Sequence, residues 1–250
     1  MKQVTRGGVI SPDAPFETAC LGLLSTSDQI NIVQVGANDG KWGDPLFDIA
    51  QRFSHRTQLL LCEPQPELVD KLKENYRDHP NVRFFEGAVG RPDSDLTFFR
   101  VKPEYWESLD APYLKEAPAY RAPTGLASFD KRYLVSNLGP LSNKADGSRV
   151  EADTVIEEVS VEVVSLESLL QKYPEMNPVD VLVIDVEGLD HEIILDSVSR
   201  TVLPRILLFE SQHLSPNEEA NLLEFLRSFE YESMKLGGNT LAIRAQNELT

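Results

Sequence analysis

Short runs of apolar residues recur along this chain, and amphipathic helical patterns separate them. Five runs have the length of buried strands, namely Ile30–Val35, Leu59–Cys62, Val82–Phe85, Val181–Ile184 and Ile206–Phe209. Strands joined by helical crossovers pair in parallel with right-handed connections. The last element differs, because Tyr231–Leu236 and Leu241–Arg244 flank two glycines and predict a β-hairpin. The pattern therefore predicts an α/β fold, with a mostly parallel sheet and an antiparallel pair at its edge.

The regular alternation stops between residues 91 and 158. This segment contains six prolines and eight aromatic residues. A long segment without clear periodicity is either a disordered insert or a functional lid, and the aromatic residues favour an ordered one. We therefore expect a substrate lid, flanked by strands over Leu96–Val101 and Val159–Val164. Its basic residues, among them Arg121, either meet an acidic group of the substrate or form ordinary surface ion pairs.

Length and composition suit one large α/β domain over residues 1–250. The chain has 41% hydrophobic residues, enough for a sizeable core. Residues 1–28 read as an N-terminal extension with a brief helix, Ala19–Leu24, that caps the sheet edge. No run approaches the ~20 apolar residues of a membrane span. The first six residues lack the apolar core of a signal peptide, which predicts a cytoplasmic protein.

Charge and cysteine content exclude several classes of protein. The 24 basic and 40 acidic residues give a formal net charge of -16, which repels nucleic-acid phosphates and acidic membranes. A nucleic-acid partner is therefore not expected. The two cysteines, Cys20 and Cys62, are too few for a disulfide framework or a cysteine-based metal site.

Polar residues and glycines follow the predicted strands at the point where each strand ends. In an open parallel sheet, ligands bind beyond these carboxyl ends. A single acid there is explained by capping of the next helix, but acids at three strand ends beside a glycine loop indicate a ligand. The candidates are Gly36 to Gly40, Glu63, Gly87 with Ala88, Asp185 with Glu187, and Glu210 with His213.

The glycine loop and Glu63 suggest the kind of ligand. Glu63 lies 23 residues after Gly40 (63 minus 40), about the interval at which a βαβ unit places a carboxylate on ribose hydroxyls. The loop lacks the G-x-G-x-x-G spacing, and Asp39 suits a cationic cofactor such as S-adenosylmethionine better than a pyrophosphate. An NAD-dependent oxidoreductase and a non-catalytic binding protein with a vestigial pocket stay as alternatives.

Five segments resemble the successive motifs of FkbM-family methyltransferases, over roughly residues 30 to 245. Gln34 departs from that pattern where many members have Asp, and Val183 departs where many have Lys. The matching segments are Val33 to Gly40, Cys62-Glu63-Pro64, Asn81-Val82 with Gly87 to Gly90, Ser165 to Leu170, and Ile184 to Gly188.

The resemblance implies a class I methyltransferase fold with a seven-stranded sheet, and methyl transfer from S-adenosylmethionine to a hydroxyl. The acceptor would be a sugar, a glycan or a secondary metabolite. The implied cofactor residues are Gly36, Ala37, Asn38, Asp39 and Gly40 for the methionine part, Glu63 and Pro64 for the ribose, Gly87 and Ala88 for the adenine, and Asp185 nearest the sulfonium.

A hydroxyl acceptor also requires removal of its proton, by a general base or with the help of a metal. Of the four histidines, only His213 follows a predicted strand at the ligand edge. Asp185, Glu187 and Glu210 could hold a metal, and His213 could equally be an ordinary loop residue. We expect metal-free catalysis, with His213, Glu187 or Glu210 as the base and Asp185 orienting the donor.

Overall fold

A computed structural model describes residues 13–91, 97–111, 117–199 and 202–245. The helices, in chain order, are α1 Ala14–Thr26, α2 Phe47–Arg52, α3 Pro66–Asn75, α4 Arg121–Thr124, α5 Lys131–Asn137, α6 Ala152–Val155, α7 Leu166–Lys172, α8 Asp190–Ser197 and α9 Pro216–Ser228. The strands are β1 Ile30–Val35, β2 Thr57–Glu63, β3 Val82–Glu86, β4 Ala88–Val89, β5 Phe98–Val101, β6 Leu109–Asp110, β7 Ser142–Asn143, β8 Ile156–Val159, β9 Val163–Val164, β10 Val181–Ile184, β11 Ile206–Glu210, β12 Tyr231–Leu236 and β13 Asn239–Arg244.

Seven of these strands form one sheet, in the order β12-β13-β11-β10-β1-β2-β3. The five strands from β11 to β3 are parallel, and the hairpin β12–β13 pairs antiparallel with β11. The strand order reverses at β1, where one connection leads to β2 and β10 lies on the other side. The predicted parallel sheet and its antiparallel C-terminal hairpin are confirmed.

Alternate residues of each central strand pack on opposite faces of the sheet. On one face, Val33 and Leu182 join apolar residues of α7, α8 and α9. On the other, Ile32 and Val181 join residues of α1 and α2. Both faces are therefore covered, as a largely parallel sheet requires.

Helix α1 is longer than the predicted helix Ala19–Leu24, and it lies on a face of the sheet instead of at its edge. Helix α1 already begins at Ala14. Its buried residues, Phe16, Cys20, Leu23 and Leu24, recur every three or four positions and pack on a face of the sheet rather than at its edge. The prediction that this helix caps the sheet edge was therefore wrong. Residues 1–12 of the N-terminal extension lie outside the described part of the chain.

The segment between β3 and α7 folds around a small core of its own. Trp106, Leu134 and Val155 belong to this core, which also includes Leu68 of α3 and so rests on that helix. Strand β5 pairs antiparallel with β8, which begins at Ile156. The expected flanking strand over Val159–Val164 was therefore placed too late; its last residues form β9 instead, which pairs with β4.

A buried arginine fixes the insert to α3. Arg100 of β5 donates hydrogen bonds to Glu67 of α3 at 2.6 Å and to Glu157 of β8 at 2.8 Å.

Within the described ranges, no helix combines the length and the apolar character that crossing a membrane requires.

Candidate active site

The centre of the candidate site is the point where the chain leaves β1 and β10. Gly36 has a positive φ of 81°, and a Cβ there would lie 1.8 Å from the carbonyl oxygen of Asp185. Only glycine lets the two loops approach this closely. Gly36 and Ala37 also donate backbone hydrogen bonds to the carbonyl oxygen of Cys62, which joins the ends of β1 and β2.

Glu63, at the end of β2, is buried and already bound by backbone donors. Its two carboxylate oxygens accept hydrogen bonds from the amides of Asn38 at 2.8 Å and Gln65 at 3.0 Å. Burial raises the pKa of Glu63 to about 7, against the lowering effect of these bonds. The carboxylate thus ties the glycine loop to the start of α3, and each oxygen keeps a lone pair for a ligand hydroxyl.

The rest of the glycine loop is held by the protein itself. The carboxylate of Asp39 accepts from the amides of Lys41 and Trp42 and from the hydroxyl of Tyr120. Asn38 adopts a positive φ of 50°, and Gly40 lies against α3, where a Cβ would come within 2.3 Å of the Leu72 side chain. Packing and turn geometry therefore account for Asn38 and Gly40 without a ligand.

A first cavity, with about 620 Å³ of empty space that includes solvent at its open side, lies beside Gly36. It brings together most of the predicted cofactor residues from four strand ends. Those that line it are Gly36, Glu63, Pro64, Gly87, Ala88 and Asp185, and the predicted catalytic residue Glu187 lines it as well.

A second cavity of about 450 Å³ adjoins the first. Among its lining residues are Ala37 and Asp39, so the predicted residues divide between the two spaces. Gly36, Asp185 and Arg121 line both cavities. Asp185 is therefore at the junction, open to the cavity solvent, while the protein around it raises the pKa of its carboxyl group by desolvation.

A hydrogen-bonded cluster lies beside Glu187, where β10 and β11 end. The Nε2 atom of His213 is 3.3 Å from Oε1 of Glu210 and 3.9 Å from Oε2 of Glu187. The hydroxyl of Tyr133, from α5 of the insert, donates to Oε2 of Glu187 and lies 3.1 Å from the same Nε2. Glu187, Glu210 and His213 each present an atom that could coordinate a metal, all within 4.8 Å of one another.

Burial and mutual repulsion change the acidity of this cluster. Burial, with the charges of Glu210 and Asp185 beside it, raises the pKa of Glu187 to about 8. Burial and the charge of Asp185 raise the pKa of Glu210 to about 7. Burial lowers the pKa of His213, against the raising effect of the Asp185 charge, and so favours the neutral imidazole. Perturbed groups of this kind are concentrated at functional sites.

The backbone around the cluster is also constrained. Glu187 has a positive φ of 55°, an uncommon conformation for a residue with a side chain. Its carbonyl oxygen accepts a hydrogen bond from the hydroxyl of Ser128 in the insert. On the other side, buried Asp190 accepts from the amide of Glu210 at 3.3 Å. The insert and α8 therefore fix the two carboxylates from opposite sides.

Besides the cavity-lining residues Phe98, Thr124, Gly125, Ala127 and Phe129, the insert brings Tyr133 and Arg121 to the site. Sequence reasoning gave no site role to Tyr133, and it considered Arg121 only as one of several basic residues that could meet an acidic group of the substrate. Both appear in the sequence only among many aromatic and basic residues of a segment without periodicity.

The two departures from the family pattern are neighbours in the sheet, because Gln34 of β1 is in register with Val183 of β10. Both line the second cavity.

A sheet of this strand order, with a glycine loop after β1 and acids at the ends of β2 and β10, defines a class I methyltransferase fold. Residues 34–233 match the methyltransferase FkbM domain, a span that covers most of the chain. The chain belongs to the FkbM methyltransferase family. Its cofactor is S-adenosylmethionine, and the oxidoreductase alternative is set aside.

Solved structures with a similar fold are remote in sequence. The precorrin-6y C5,15-methyltransferase of Geobacter metallireducens GS-15 has a TM-score of 0.42 and 10% identity, over 97% of this chain and 94% of that one. The fibrillarin of Aeropyrum pernix, solved with natively bound S-adenosyl-L-methionine, has a TM-score of 0.41 and 12% identity, over 90% and 74%. At this level they carry no argument about substrate. No curated protein matches the sequence significantly.

The residues of the two cavities fit this cofactor. Gln65 lines the first cavity and Gln34 the second, and each has a buried side-chain oxygen without a hydrogen-bond partner among the described residues. Such acceptors suit the amino and hydroxyl groups of S-adenosylmethionine. Glu63 and Asp185 suit its ribose hydroxyls and its positive charge.

Proposed function

We propose that this protein methylates a hydroxyl group of a sugar, a glycan or another small metabolite. One observation carries the proposal: Glu187 lines the first cavity, and Tyr133, His213 and Glu210 are linked to it in one cluster, in which burial lowers the pKa of the histidine. A hydroxyl acceptor needs a base of this kind at the site of transfer.

S-adenosylmethionine supplies a methyl group on a sulfonium, and its transfer to the hydroxyl oxygen forms a C–O bond, breaks the S–C bond and leaves S-adenosylhomocysteine. The adenosine part belongs in the first cavity, with Glu63 and Pro64 at the ribose and Gly87 and Ala88 at the adenine. The loop residues that line the cavities, Gly36, Ala37 and Asp39, would hold the methionine part. The carboxylate of Asp185 would hold the positive sulfur and orient it.

Among the three candidate bases, the contacts favour His213. Glu187 already accepts from Tyr133, and Glu210 accepts from Gln212 at 2.5 Å. Because the hydroxyl of Tyr133 donates its hydrogen to Glu187, Nε2 of His213 carries a hydrogen and donates it to the Tyr133 oxygen. Nδ1 then holds the lone pair, and it has no hydrogen-bond partner among the described residues. The proton of the acceptor hydroxyl passes to this atom.

The insert, residues 91–158, acts as the lid of this single catalytic domain. Its hydrogen bonds to both cofactor motifs support this role. Tyr120 and Arg121 contact the glycine loop at Asp39 and the carbonyl oxygen of Trp42, and Ser128 contacts Glu187. A lid attached at these points excludes water and shapes the acceptor site.

The test begins with a screen of sugars, glycans, lipid-linked sugars and small hydroxylated metabolites for formation of S-adenosylhomocysteine. With an acceptor in hand, His213→Ala should lower kcat by roughly 10² to 10⁴, the usual contribution of a general base, while the cofactor Kd stays within about twofold. His191→Ala, a histidine of α8 outside the cluster, is the matched control.

Two outcomes would contradict the proposal. Activity that is lost with a chelator and restored by magnesium or manganese would replace the metal-free base by a metal. Cofactor binding without any S-adenosylhomocysteine from the whole acceptor screen would favour the non-catalytic alternative.

A further inference from the structure

The two cavities are strongly acidic. Five different carboxylates line them, Glu63, Asp39, Asp44, Asp185 and Glu187. Among the described residues, Arg121 is the only basic side chain that lines either cavity, and it lines both. Any negative group of a ligand in this space must therefore lie near Arg121, because like charges elsewhere would repel it.

The cofactor carries one such group. S-adenosylmethionine has a positive sulfonium and a positive ammonium, which suit the acids, and a carboxylate, which does not. With the adenosine part in the first cavity, the amino-acid part would extend past Gly36 and Asp185, which line both cavities, toward the second. Arg121 stands at this junction.

The arginine is held in place while part of its guanidinium stays available. Its Nε donates to the carbonyl oxygen of Trp42 at 2.9 Å. Gly125 makes room for it, since a Cβ at that position would lie 2.8 Å from Nη1. Burial raises the pKa of Asp44 and Asp185, and the charge of Arg121 counteracts part of that rise. Arg121 nevertheless forms no ion pair with a carboxylate of the described residues. Its two terminal nitrogens can bind a carboxylate end-on with two parallel hydrogen bonds.

We propose that Arg121 binds the carboxylate of the cofactor's methionine group. The sheet then recognises the adenosine half of the cofactor, and the insert recognises the amino-acid half. The inference rests on the cofactor placement proposed above. It also gives the insert a direct contact with the cofactor in addition to its role as a lid.

The test removes either the carboxylate of the ligand or the guanidinium of Arg121, and binding is measured by calorimetry. The ligands are S-adenosylmethionine, decarboxylated S-adenosylmethionine and 5′-methylthioadenosine, which lacks the amino-acid part. The variants are Arg121→Gln, Arg121→Lys and, as a matched control, Arg132→Gln. Arg132 belongs to the same insert, but its side chain is 93% exposed and pairs only with Asp130 among the described residues.

Wild type should bind the intact cofactor roughly tenfold or more tightly than the decarboxylated one, as expected for charge-assisted hydrogen bonds. In Arg121→Gln this preference should disappear, and binding of methylthioadenosine should change by less than about twofold. Arg121→Lys should keep part of the preference, and Arg132→Gln all of it.

If wild type binds S-adenosylmethionine and its decarboxylated form with equal affinity, the inference is wrong, and no variant is needed to show it. The inference is also wrong if folded Arg121→Gln loses the same amount of affinity for all three ligands. If methylthioadenosine does not bind wild type at all, the placement of the adenosine in the first cavity fails instead.

Discussion

Replacement of Glu63 by alanine separates the structural role of this carboxylate from its proposed role at the ribose. In the structure, Glu63 accepts from two buried backbone amides, those of Asn38 and Gln65. Truncation leaves both donors without this partner. It also removes the acceptor assigned to the ribose hydroxyls, so Glu63→Ala should weaken both folding and cofactor binding.

The two effects have different sizes. An unsatisfied buried donor costs about 1–3 kcal/mol, so two of them cost about 2–6 kcal/mol. Burial of the carboxyl group is itself unfavourable, since burial raises its pKa to about 7. The alanine variant avoids this cost, which offsets part of the loss of stability. We expect a net loss of about 2 kcal/mol, or roughly 4–8 °C in Tm for a chain of this length. Loss of a charge-assisted bond to the ribose, about 1.5–3 kcal/mol, should raise the cofactor Kd roughly 10- to 150-fold.

Thermal unfolding without cofactor and calorimetry well below Tm measure the two effects. Glu86→Ala is the matched control, because exposed Glu86 occupies the register position next to Glu63 at the end of β3. An unchanged Kd in folded Glu63→Ala would remove the residue from the ribose role. An unchanged Tm would refute its role as the link between the glycine loop and α3.

Three further predictions follow from the acidic cluster and the insert. The pKa values of Glu187 and Glu210 are about 8 and 7, so binding of a positively charged cofactor should displace protons from these two groups. The affinity for the cofactor should therefore rise between about pH 6 and pH 9, and calorimetry that finds a pH-independent affinity would contradict this. The same raised values stabilise the cofactor-free fold below about pH 4.5, and this contribution is lost as the pH rises through 7 to 8. Tm should therefore fall more steeply from about pH 5 to pH 9 in wild type than in Glu187→Gln, and parallel curves would refute it. Amide hydrogen exchange should be faster in residues 117–158 than in β10 and should slow when cofactor binds; equal rates without cofactor would contradict the lid.

The sheet was predictable because its signals are local. Each central strand is a short apolar run, and each crossover helix has a periodic apolar face. Ser215 shows the same for a single residue. In the sequence Ser215-Pro216-Asn217-Glu218, which is typical of a capping box, the Ser215 side chain accepts from the backbone amide of Glu218 and the Glu218 side chain accepts from the amide of Ser215. The strand ends then had to meet at one edge, so the gathering of Glu63, Asp185 and Glu210 followed from the topology alone.

The insert carries no such signal, and the roles of its residues could not be predicted. Tyr133 meets Glu187 because a small core around Trp106 and Leu134 positions α5, and that core has no helical or strand period. Packing also decided the role of Gly40, whose neighbour is a side chain of α3. A residue pattern along the chain does not reveal contacts of this kind.

The central claim is methyl transfer to oxygen, and one measurement tests it most directly. The protein is incubated with S-adenosylmethionine labelled with ¹³C at the methyl group and with the acceptor found in the screen, and the product is examined by NMR. The label should appear as a methoxyl carbon on the acceptor, in wild type and not in His213→Ala. A label found on carbon or nitrogen, or transfer that is unchanged in His213→Ala, would contradict the account.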